Sequence, residues 1–350
     1  MIALQFLNIQ ENLLNFEGFP LRNQKLGPVK HLMSDRKILI TGGLGYLGGR
    51  IADSLKRNYP ETTIILGTRR KFSEIPDWAK SFQIMYLDLC DISSIEEAVV
   101  APDTIIHLAA LNEHDSFKNI ESAWKTNALG TQALLSSANR KGIRRFVYFS
   151  TFHIYGNCMG TITEDSPAQP YHPYAATHRA AEDMIRFYQH YKNIDTLTLR
   201  LSNGFGYPMD TKINRWTLVF NDLCRQAATS GKIIVKSTGK QHRDFITLHD
   251  VGAVIGHFLF TIPNQWADGL YNLGGENSLS ITEVAKIIAK VYKKKYGKPI
   301  LVQIDGKDDG TINNPVFFNI DKLKKTGFCL TGNMEKEIEQ TLSLCERFAA

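Results

Sequence analysis

The sequence predicts an α/β protein built on a doubly wound parallel sheet, with a smaller mixed α/β part attached. Short apolar runs of strand length alternate with amphipathic helical patterns between residues 37 and 201. Most of these runs are apolar along their length, which is typical of parallel strands covered by helices on both faces. Glycine-rich sequence joins the first run to the first helical pattern. Together these observations predict successive strand–helix–strand units.

Six strands and four helices are predicted in the first part of the chain. The strands are expected at Lys37–Thr41, Thr63–Leu66, Gln83–Asp88, Thr104–Ala109, Arg145–Ser150 and Asp195–Leu201. The helices are expected at Tyr46–Asn58, Ser93–Val99, Ile120–Lys141 and Tyr174–Tyr191. Crossovers between the parallel strands should be right-handed. Later helices, separated by loops containing Gly, Pro and Asn, are expected at Leu218–Ser230, Ile281–Tyr296 and Met334–Arg347.

This pattern suggests two domains after an N-terminal extension. Residues 35–202 and about 243–262 are predicted to form the main domain, and about 203–242 and 263–350 the smaller, substrate-binding one. Residues 1–34 have no basic start, long apolar stretch or cleavage site, so a signal peptide is disfavoured. We interpret them as an appended or mis-started segment, either disordered or a short helix docked on the body.

Composition limits the classes of function. The chain is 43% hydrophobic and 22% charged, as in ordinary globular proteins. Its net charge of +6 suits an anionic ligand, but the sequence lacks the long basic run expected of a nucleic-acid binder. Five scattered cysteines without a CxxC pair argue against a metal site or disulfide framework and suit the cytoplasm. No apolar run reaches membrane-spanning length.

A glycine motif lies between the first strand and the first helix. In ILITGGLGYLGGRIADSL, Gly42, Gly45 and Gly48 form GxxGxxG. Glycines here allow a tight turn, close approach of backbone to a pyrophosphate, and packing of helix on strand, while the helix N-terminus attracts the phosphates. We therefore predict a dinucleotide site that includes the intervening Tyr46 and Leu47. The alternative is a purely structural glycine turn.

The end of the second strand suggests which dinucleotide binds. An acidic residue there would bind both ribose hydroxyls and favour NAD. This chain instead has Thr68, Arg69 and Arg70, whose guanidinium groups suit a 2′-phosphate. We predict NADP, with NAD as the alternative; the arginines could also be a solvated loop.

A possible acid/base pair lies in the run PYAATHRAAE. Tyr174 and His178 are four residues apart in a segment that favours helix, so their side chains should share one face. A phenol beside a basic side chain can exchange protons with a substrate.

In their order along the chain, several motifs resemble those of the extended short-chain dehydrogenase/reductase family, also described as NAD-dependent epimerase/dehydratase. They are TGGLGYLG, LDLCD, HLAA, NALGT, FSTFHIYG, YAATH, LRLSNGFGYP, RDFITLHDV and YNLGG. The resemblance extends from Asp35 to the C-terminus and implies a Rossmann-type fold. It also implies that Asp88 and Leu89 lie beside the adenine, that Ala109 and Ala110 line the cofactor pocket, and that Asn127 organises the active-site helix.

The resemblance further implies the catalytic and substrate-binding residues. Thr151 stands at the catalytic Ser/Thr position and Tyr174 at that of the catalytic tyrosine. Asn203 and Arg243 match residues that hold a nucleotide-sugar diphosphate. A homodimer formed through two helices of the main domain is implied by the same analogy.

The first departure from the family pattern is His178, which replaces a lysine. That lysine lowers the tyrosine pKa and bonds the nicotinamide ribose. A free histidine titrates near ~6.5, against ~10.4 for lysine, so His178 should help Tyr174 less at neutral pH. A neutral His178 is expected either to relay a proton from Tyr174 to solvent or, in the alternative, to mark a decayed catalytic unit.

The second departure is Phe152–His153, where family members that dehydrate sugars usually carry Asp-Glu. This argues against 4,6-dehydratase chemistry. His153 either exchanges a proton at a carbon next to a ketone or is a packed structural histidine.

The predicted function is that of a cytoplasmic NAD(P)-dependent oxidoreductase, a keto-reductase or epimerase that acts on a nucleotide-activated sugar by hydride transfer. Tyr174 is its predicted acid/base, and Thr151, His178 and His153 are the other catalytic candidates. The alternatives are a non-catalytic NADP-binding sensor and a reductase of a non-sugar alcohol.

Overall fold

The computed structural model describes residues 36–99, 102–157, 159–307 and 315–348. The extension predicted for residues 1–34 lies outside them. Strands β1 to β15 are Lys37–Thr41, Thr63–Thr68, Gln83–Tyr86, Thr104–His107, Arg145–Thr151, Gly160–Ile162, Asp195–Leu201, Asn203–Phe205, Lys232–Val235, His242–Arg243, Phe245–Thr247, Leu270–Leu273, Leu279–Ser280, Leu301–Ile304 and Val316–Phe318. Helices α1 to α11 are Tyr46–Asn58, Ile92–Ala98, Glu113–Lys118, Ile120–Ala123, Gly130–Arg140, Pro173–Lys192, Val219–Ser230, Leu248–Gly256, Ile281–Tyr296, Asp321–Lys324 and Met334–Cys345.

The main sheet has seven parallel strands in the order β12-β7-β5-β4-β1-β2-β3. β1 lies inside the sheet, between β4 and β2, and its Ile38, Leu39 and Ile40 are fully buried because apolar side chains on both faces meet covering helices. The direction of strand progression reverses between β1 and β4, and ligands of such sheets bind where this reversal opens a crevice at the carboxyl ends. The predicted doubly wound, Rossmann-type fold is confirmed.

Two hydrophobic cores include residues of the main sheet, and a third lies in the smaller part. The third core is formed chiefly by α7, α9 and α11, with Phe220, Val284 and Leu342 buried at its centre. This core gives the predicted second domain an apolar interior of its own. The two-domain division remains a prediction.

One predicted domain boundary needs correction. Leu270–Leu273 lies in the range 263–350 that we assigned to the smaller domain, yet it pairs with Asp195–Leu201 as the edge strand of the main sheet. The sequence signal was weak because this strand has only four residues and glycines flank it.

The helix predicted at Ile120–Lys141 is interrupted. α4 continues into a π-helical segment, Trp124–Leu129, and the α-helical pattern resumes in α5. Such π segments occur often at functional sites. This one contains Asn127, whose contacts are described below.

Two buried ion pairs connect distant elements. Arg200 of β7 pairs with Glu182 of α6, and Arg50 of α1 pairs with Glu337 of α11. All four side chains are at most 8% exposed. Each pair therefore holds a helix against a distant element through charges that solvent screens only weakly.

Among the described helices, none is long and apolar enough to span a bilayer.

Candidate active site

A cleft of about 480 Å³ contains residues from the carboxyl ends of β1, β4 and β5 and from the smaller part of the chain. Thirteen of the site residues predicted from sequence line it: Gly42, Gly45, Tyr46, Leu47, Gly48, Ala109, Ala110, Thr151, His153, Tyr174, His178, Asn203 and Arg243. Glu113 and Arg215 also line it, although no sequence motif indicated either.

The glycine turn is built as a cradle for an anionic group. Gly42 has φ = +65°, and a Cβ on Gly48 would lie 2.3 Å from the Gly42 carbonyl oxygen, so a side chain at position 48 would clash. α1 begins after Gly45 with no side-chain cap and no acidic residue in its first turn. The first amide groups of the helix are therefore open to phosphate oxygens. This geometry fits a dinucleotide cofactor.

The arginines that suggested NADP stand just after β2, outside the cleft lining. Thr68 is buried, and its hydroxyl accepts a hydrogen bond from the Arg70 amide at 3.1 Å. Arg69 is exposed, and within the described part of the chain neither arginine has a carboxylate partner. Both guanidinium groups therefore have donors to offer a phosphate.

Asp88 and Leu89 follow β3, next to the end of β2 in the sheet. The Asp88 carboxylate accepts a hydrogen bond from the Cys90 amide at 2.9 Å. Leu89 is buried, and a side chain on Gly130 would collide with it. Neither residue lines the cleft, so their expected contact with the adenine remains a prediction.

Asn127 ties the loop after β4 to the helix that carries Tyr174. Its side-chain oxygen accepts a hydrogen bond from the Leu111 backbone amide at 2.7 Å. Its amide group donates to the Leu111 carbonyl at 3.2 Å and to the Thr177 hydroxyl at 3.1 Å. Asn127 thus lies outside the cleft lining but positions one wall of it.

Tyr174 lies in the first turn of α6 and lines the cleft together with Thr151. Burial raises the pKa of the Tyr174 phenol, while the positive charge of Arg215 and the Thr151 hydrogen bond lower it. The His178 ring meets the Tyr174 ring edge-on, with centroids 4.5 Å apart. The structure therefore brings together all three members of the predicted catalytic unit.

His178 is buried and neutral beside Tyr174. Its Nδ1 is 2.6 Å from the Tyr148 hydroxyl, and its Nε2 is buried without a partner among the described residues. Burial lowers the pKa of His178 to about 3, with a further contribution from His153. His178 is therefore neutral, as the sequence predicts, and the relay of a proton from Tyr174 to solvent through it stays a prediction.

His153 lies in a small cluster with Glu113 and His172. Its Nε2 is 3.8 Å from a Glu113 carboxylate oxygen, and its ring centroid is 5.1 Å from that of His172. Burial lowers the pKa of His153 to about 4, opposed by the charge of Glu113. His153 is thus neutral near pH 7 and faces the cleft, and its two predicted roles, proton exchange and packing, stay predictions.

The same cluster has the spacing of a metal site, since one donor atom from each residue lies within 4.8 Å of the others. However, the Ala175 amide donates to Nδ1 of His172 at 3.2 Å, as the N-cap of α6. The proton of a neutral His172 therefore resides on Nε2. A metal bound there would have to displace either that proton or the helix cap.

The predicted substrate residues are Asn203, in the range assigned to the smaller domain, and Arg243, at the start of the range that returns to the main domain. The Asn203 amide donates to the Asp244 carbonyl at 2.8 Å, which fixes its side chain at the cleft. Arg243 donates to the Gln241 side chain at 2.8 Å. Burial lowers the pKa of the Arg243 guanidinium, so an anion entering the cleft would relieve the cost of burying that charge.

A comparison of the sequence with models of protein families matches residues 38–274 to the NAD dependent epimerase/dehydratase family. The chain belongs to this family. The matched residues include the glycine cradle, Thr151, Tyr174 and Arg243. The resemblance stated from the motifs is therefore confirmed.

Curated relatives in the family include several named as dehydratases. The dTDP-D-glucose 4,6-dehydratase of Bos taurus is 25% identical over 308 residues, covering 84% of this chain and 83% of the relative. The dTDP-glucose 4,6-dehydratase of Streptomyces niveus is 29% identical over 271 residues, covering 73% and 77%.

Solved structures of family members share the fold. The UDP-glucose 4-epimerase of Thermus thermophilus, in complex with NAD, has a TM-score of 0.73 at 23% identity, covering 90% of this chain and 100% of that one. The UDP-glucose 4-epimerase of Thermotoga maritima, with UDP-glucose, has a TM-score of 0.72 at 19% identity and the same coverage. At these identities the likeness supports the fold alone.

The burial of His178 gives a pH prediction. Because its pKa is about 3, the imidazole stays neutral throughout the range in which a free histidine changes charge. We expect turnover between about pH 5 and 8 to show no ionisation that belongs to His178. Replacing His178 with Gln should therefore leave the shape of the pH–rate curve unchanged, even if its height falls. This prediction would be contradicted if the wild-type pH–rate curve showed an ionisation near pH 6 to 7 that the curve of His178→Gln lacked.

Proposed function

We propose that this chain is an NAD(P)-dependent oxidoreductase, a keto-reductase or epimerase, that acts on a nucleotide-activated sugar. The observation that carries the proposal is the presence of two hydroxyl side chains, those of Thr151 and Tyr174, in the same cleft as the glycine cradle. A hydroxyl pair beside a dinucleotide can hold and deprotonate the alcohol that is being oxidised. Membership of the family supports the same reaction class.

Each residue has a distinct task in this scheme. The bound dinucleotide supplies a hydride acceptor or donor. Tyr174 removes the proton of the sugar hydroxyl in oxidation and returns it in reduction, while Thr151, in the same cleft, hydrogen-bonds the same sugar oxygen. His178 packs edge-on against the Tyr174 ring and restricts its orientation. Asn127 holds α6 in place by bonding Thr177.

The proposed substrate class depends on the positive charge in the cleft. Arg243 and Asn203, the two predicted substrate-binding residues, both line it. The guanidinium group of Arg243 is well suited to the oxygens of a diphosphate. The names of the relatives, which refer to dTDP-glucose and UDP-glucose, agree with this substrate class.

Dehydration is the reaction that several relatives are named for, but we do not favour it here. The side chains at 152 and 153 are Phe152 and His153, and the Phe152 ring packs 4.1 Å from that of His153. Neither supplies a carboxyl group for the elimination of water. Mass spectrometry of the products would separate the reactions, since only a dehydratase releases a product lighter by one water.

The decisive experiment is to incubate the purified protein with UDP-, GDP- and dTDP-sugars and follow the absorbance of the reduced nicotinamide. A keto-reductase consumes NADPH in proportion to product. An epimerase forms product without net change in the cofactor. Absence of both product and cofactor turnover across the panel would contradict the proposal.

Cofactor preference is predicted from Arg69 and Arg70. NADP should bind more tightly than NAD, because the two guanidinium groups lack carboxylate partners in the described residues and can pair with the 2′-phosphate. Replacing both arginines with Ala should weaken the binding of NADP about 10- to 100-fold, which corresponds to the loss of one or two charge-assisted hydrogen bonds. The affinity for NAD should change little. Calorimetric titration with each dinucleotide measures this. Equal losses for both dinucleotides, or a wild-type preference for NAD, would contradict the assignment.

A non-catalytic NADP-binding protein is the second candidate, favoured by the neutral state of His178. In that case the cofactor would bind without turnover, and changes at Tyr174 would leave biological activity intact. The Tyr174 variant discussed below separates the two candidates. For a non-sugar alcohol, Arg243→Ala should barely change turnover, because no diphosphate would need that charge.

We also infer a homodimer. Exposed apolar side chains lie on α4, the adjoining π-helical segment and α6: Ile120, Trp124, Leu129, Phe187 and Tyr191 are each more than 40% exposed. Apolar side chains that recur on neighbouring helices are typical of an interaction surface. A second copy of the chain is the partner we propose for it.

A further inference from the structure

The catalytic helix provides no positive charge near Tyr174. His178 is neutral and buried, and its Nδ1 is engaged with the Tyr148 hydroxyl. Yet burial makes deprotonation of the Tyr174 phenol more costly than in water. A general base in such a site needs a cation elsewhere in the cleft.

Arg215 is in position to provide that cation. It lies in the loop between β8 and α7 and lines the same cleft as Tyr174 and His178. Its guanidinium donates one long hydrogen bond, 3.4 Å, to the Asn214 carbonyl. In the described ranges it has no carboxylate partner, so its charge is not neutralised locally.

The loop that carries Arg215 is fixed to the cofactor cradle. The Asn221 amide donates to the Arg215 carbonyl at 3.2 Å and to the Tyr46 hydroxyl at 3.1 Å. Tyr46 is the first residue of α1 and also donates to the Gly206 carbonyl at 2.8 Å. The backbone of Arg215 is therefore held relative to the glycine turn and does not depend on a bound sugar for its place.

We propose that Arg215 stabilises the phenolate of Tyr174 by its positive charge, and so performs from the smaller part of the chain the task that His178 cannot. This inference rests on the proposed function, in which Tyr174 is the acid/base. Arg215 acts through Tyr174 and is a positioning residue. In oxidation the sugar C–H bond gives its hydride to the oxidised nicotinamide and the O–H proton passes to the phenolate, so Arg215 neither gains nor loses a proton.

The other groups that face Tyr174 do not supply this charge. Thr151 lowers the pKa of the phenol by a hydrogen bond, and Glu113 raises it by its negative charge. The rings of His153 and His172 lie 6.0 and 6.2 Å from that of Tyr174, and burial lowers the pKa of both.

The remaining neighbours are the His178 and Tyr148 side chains on the sheet side. His178 is neutral, and burial raises the pKa of Tyr148 far above its usual value, so its hydroxyl stays protonated. The positive charge of Arg215, by contrast, lowers the pKa of the Tyr174 phenol. This direction agrees with the geometry of the cleft.

The test compares Arg215→Gln, Arg215→Lys and the double variant Arg215→Gln/His178→Lys. The probe is oxidation of UDP-glucose or dTDP-glucose with NADP⁺ or NAD⁺, followed as a function of pH. Arg215→Gln should move the ascending limb of kcat, along which Tyr174 loses its proton, to higher pH by about one unit, the lower end of the effect of a neighbouring charge. At pH 7 this corresponds to about tenfold slower turnover. Arg215→Lys should keep most of the wild-type profile.

The double variant separates an electrostatic role of Arg215 from a structural one. A lysine at position 178 puts a positive charge on the same helix face as Tyr174, so it should return the shifted limb toward the wild-type position. A merely structural role for Arg215 would not be rescued by a charge placed on α6. Circular dichroism confirms that each variant is folded.

A second readout does not depend on turnover. The tyrosinate absorbance of the protein is titrated, and the difference from a matched Tyr174→Phe variant isolates this phenol. Arg215→Gln should raise its pKa. If the wild type turns over none of the sugars, the proposed function fails while this titration still tests Arg215. A different result would overturn the inference. In that case the wild type is active and Arg215→Gln alters only KM, while the pH dependence of kcat and the tyrosinate titration are unchanged. Arg215 would then serve only to bind the anion.

Discussion

Replacement of Tyr174 by Phe is expected to lower turnover of a nucleotide sugar by about 10²- to 10⁴-fold, the usual contribution of a general acid/base. The substitution removes one oxygen atom, which is the atom that exchanges the proton of the sugar hydroxyl. The ring remains, so its packing against His178 is kept. Binding of the dinucleotide should change little, because the glycine cradle is untouched. Single-turnover measurements with NADP⁺ or NAD⁺, together with calorimetry, separate the two effects.

The matched control is Tyr188→Phe. Tyr188 lies on the same helix, is 7% exposed, and packs in a hydrophobic core of the main sheet, away from the cleft. It should keep full turnover. If Tyr174→Phe also kept it, Tyr174 would have no part in catalysis, and the non-catalytic NADP-binding candidate would replace the oxidoreductase.

Replacement of Glu182 by Gln is expected to lower the free energy of unfolding by about 3–5 kcal/mol, as when one partner of a buried ion pair is removed. Glu182 accepts two hydrogen bonds from Arg200, at 3.1 and 2.8 Å, and both side chains are 4% exposed. Glutamine has the same shape but no charge, so the Arg200 guanidinium would be left buried without a counter-ion. Denaturant titration followed by circular dichroism measures the loss.

An exposed pair on the same helix serves as the control. Asp183 accepts a hydrogen bond from Arg179 at 2.8 Å, but its side chain is 49% exposed. Asp183→Asn should cost less than about 1 kcal/mol, because solvent screens the pair. Equal effects of Glu182→Gln and Asp183→Asn would show that the buried pair has no special role in stability.

The parts of the fold that sequence could predict are those determined by local pattern. The strand at Lys37–Thr41 and the helices at Tyr46–Asn58 and Ile281–Tyr296 have the predicted bounds. Each is a continuous apolar or amphipathic segment with clear ends. The last of them also has a capping box, in which the Ser280 and Glu283 side chains satisfy each other's backbone amides. The cradle was predictable for the same reason, since its glycines are required by steric contacts within one turn.

The parts that sequence could not predict depend on partners far along the chain. The neutral state of His178 results from burial and from His153, and its Nδ1 is engaged by Tyr148, thirty residues earlier and on another element. Arg215 and Glu113 reach the cleft through loops whose course no local pattern reveals. The order of the motifs predicted which residues are catalytic candidates. The protonation state of each candidate, however, depends on neighbours that only the three-dimensional structure shows.

The ion pair between Arg50 and Glu337 has a consequence for how the protein is made. Nearly three hundred residues separate the two partners, and Arg50 belongs to the helix that begins at the cradle. During synthesis on the ribosome, almost the whole polypeptide must be made before Glu337, the counter-charge of Arg50, emerges. We therefore expect nascent chains released before α11 to bind dinucleotide poorly and to be preferred substrates of proteases and chaperones.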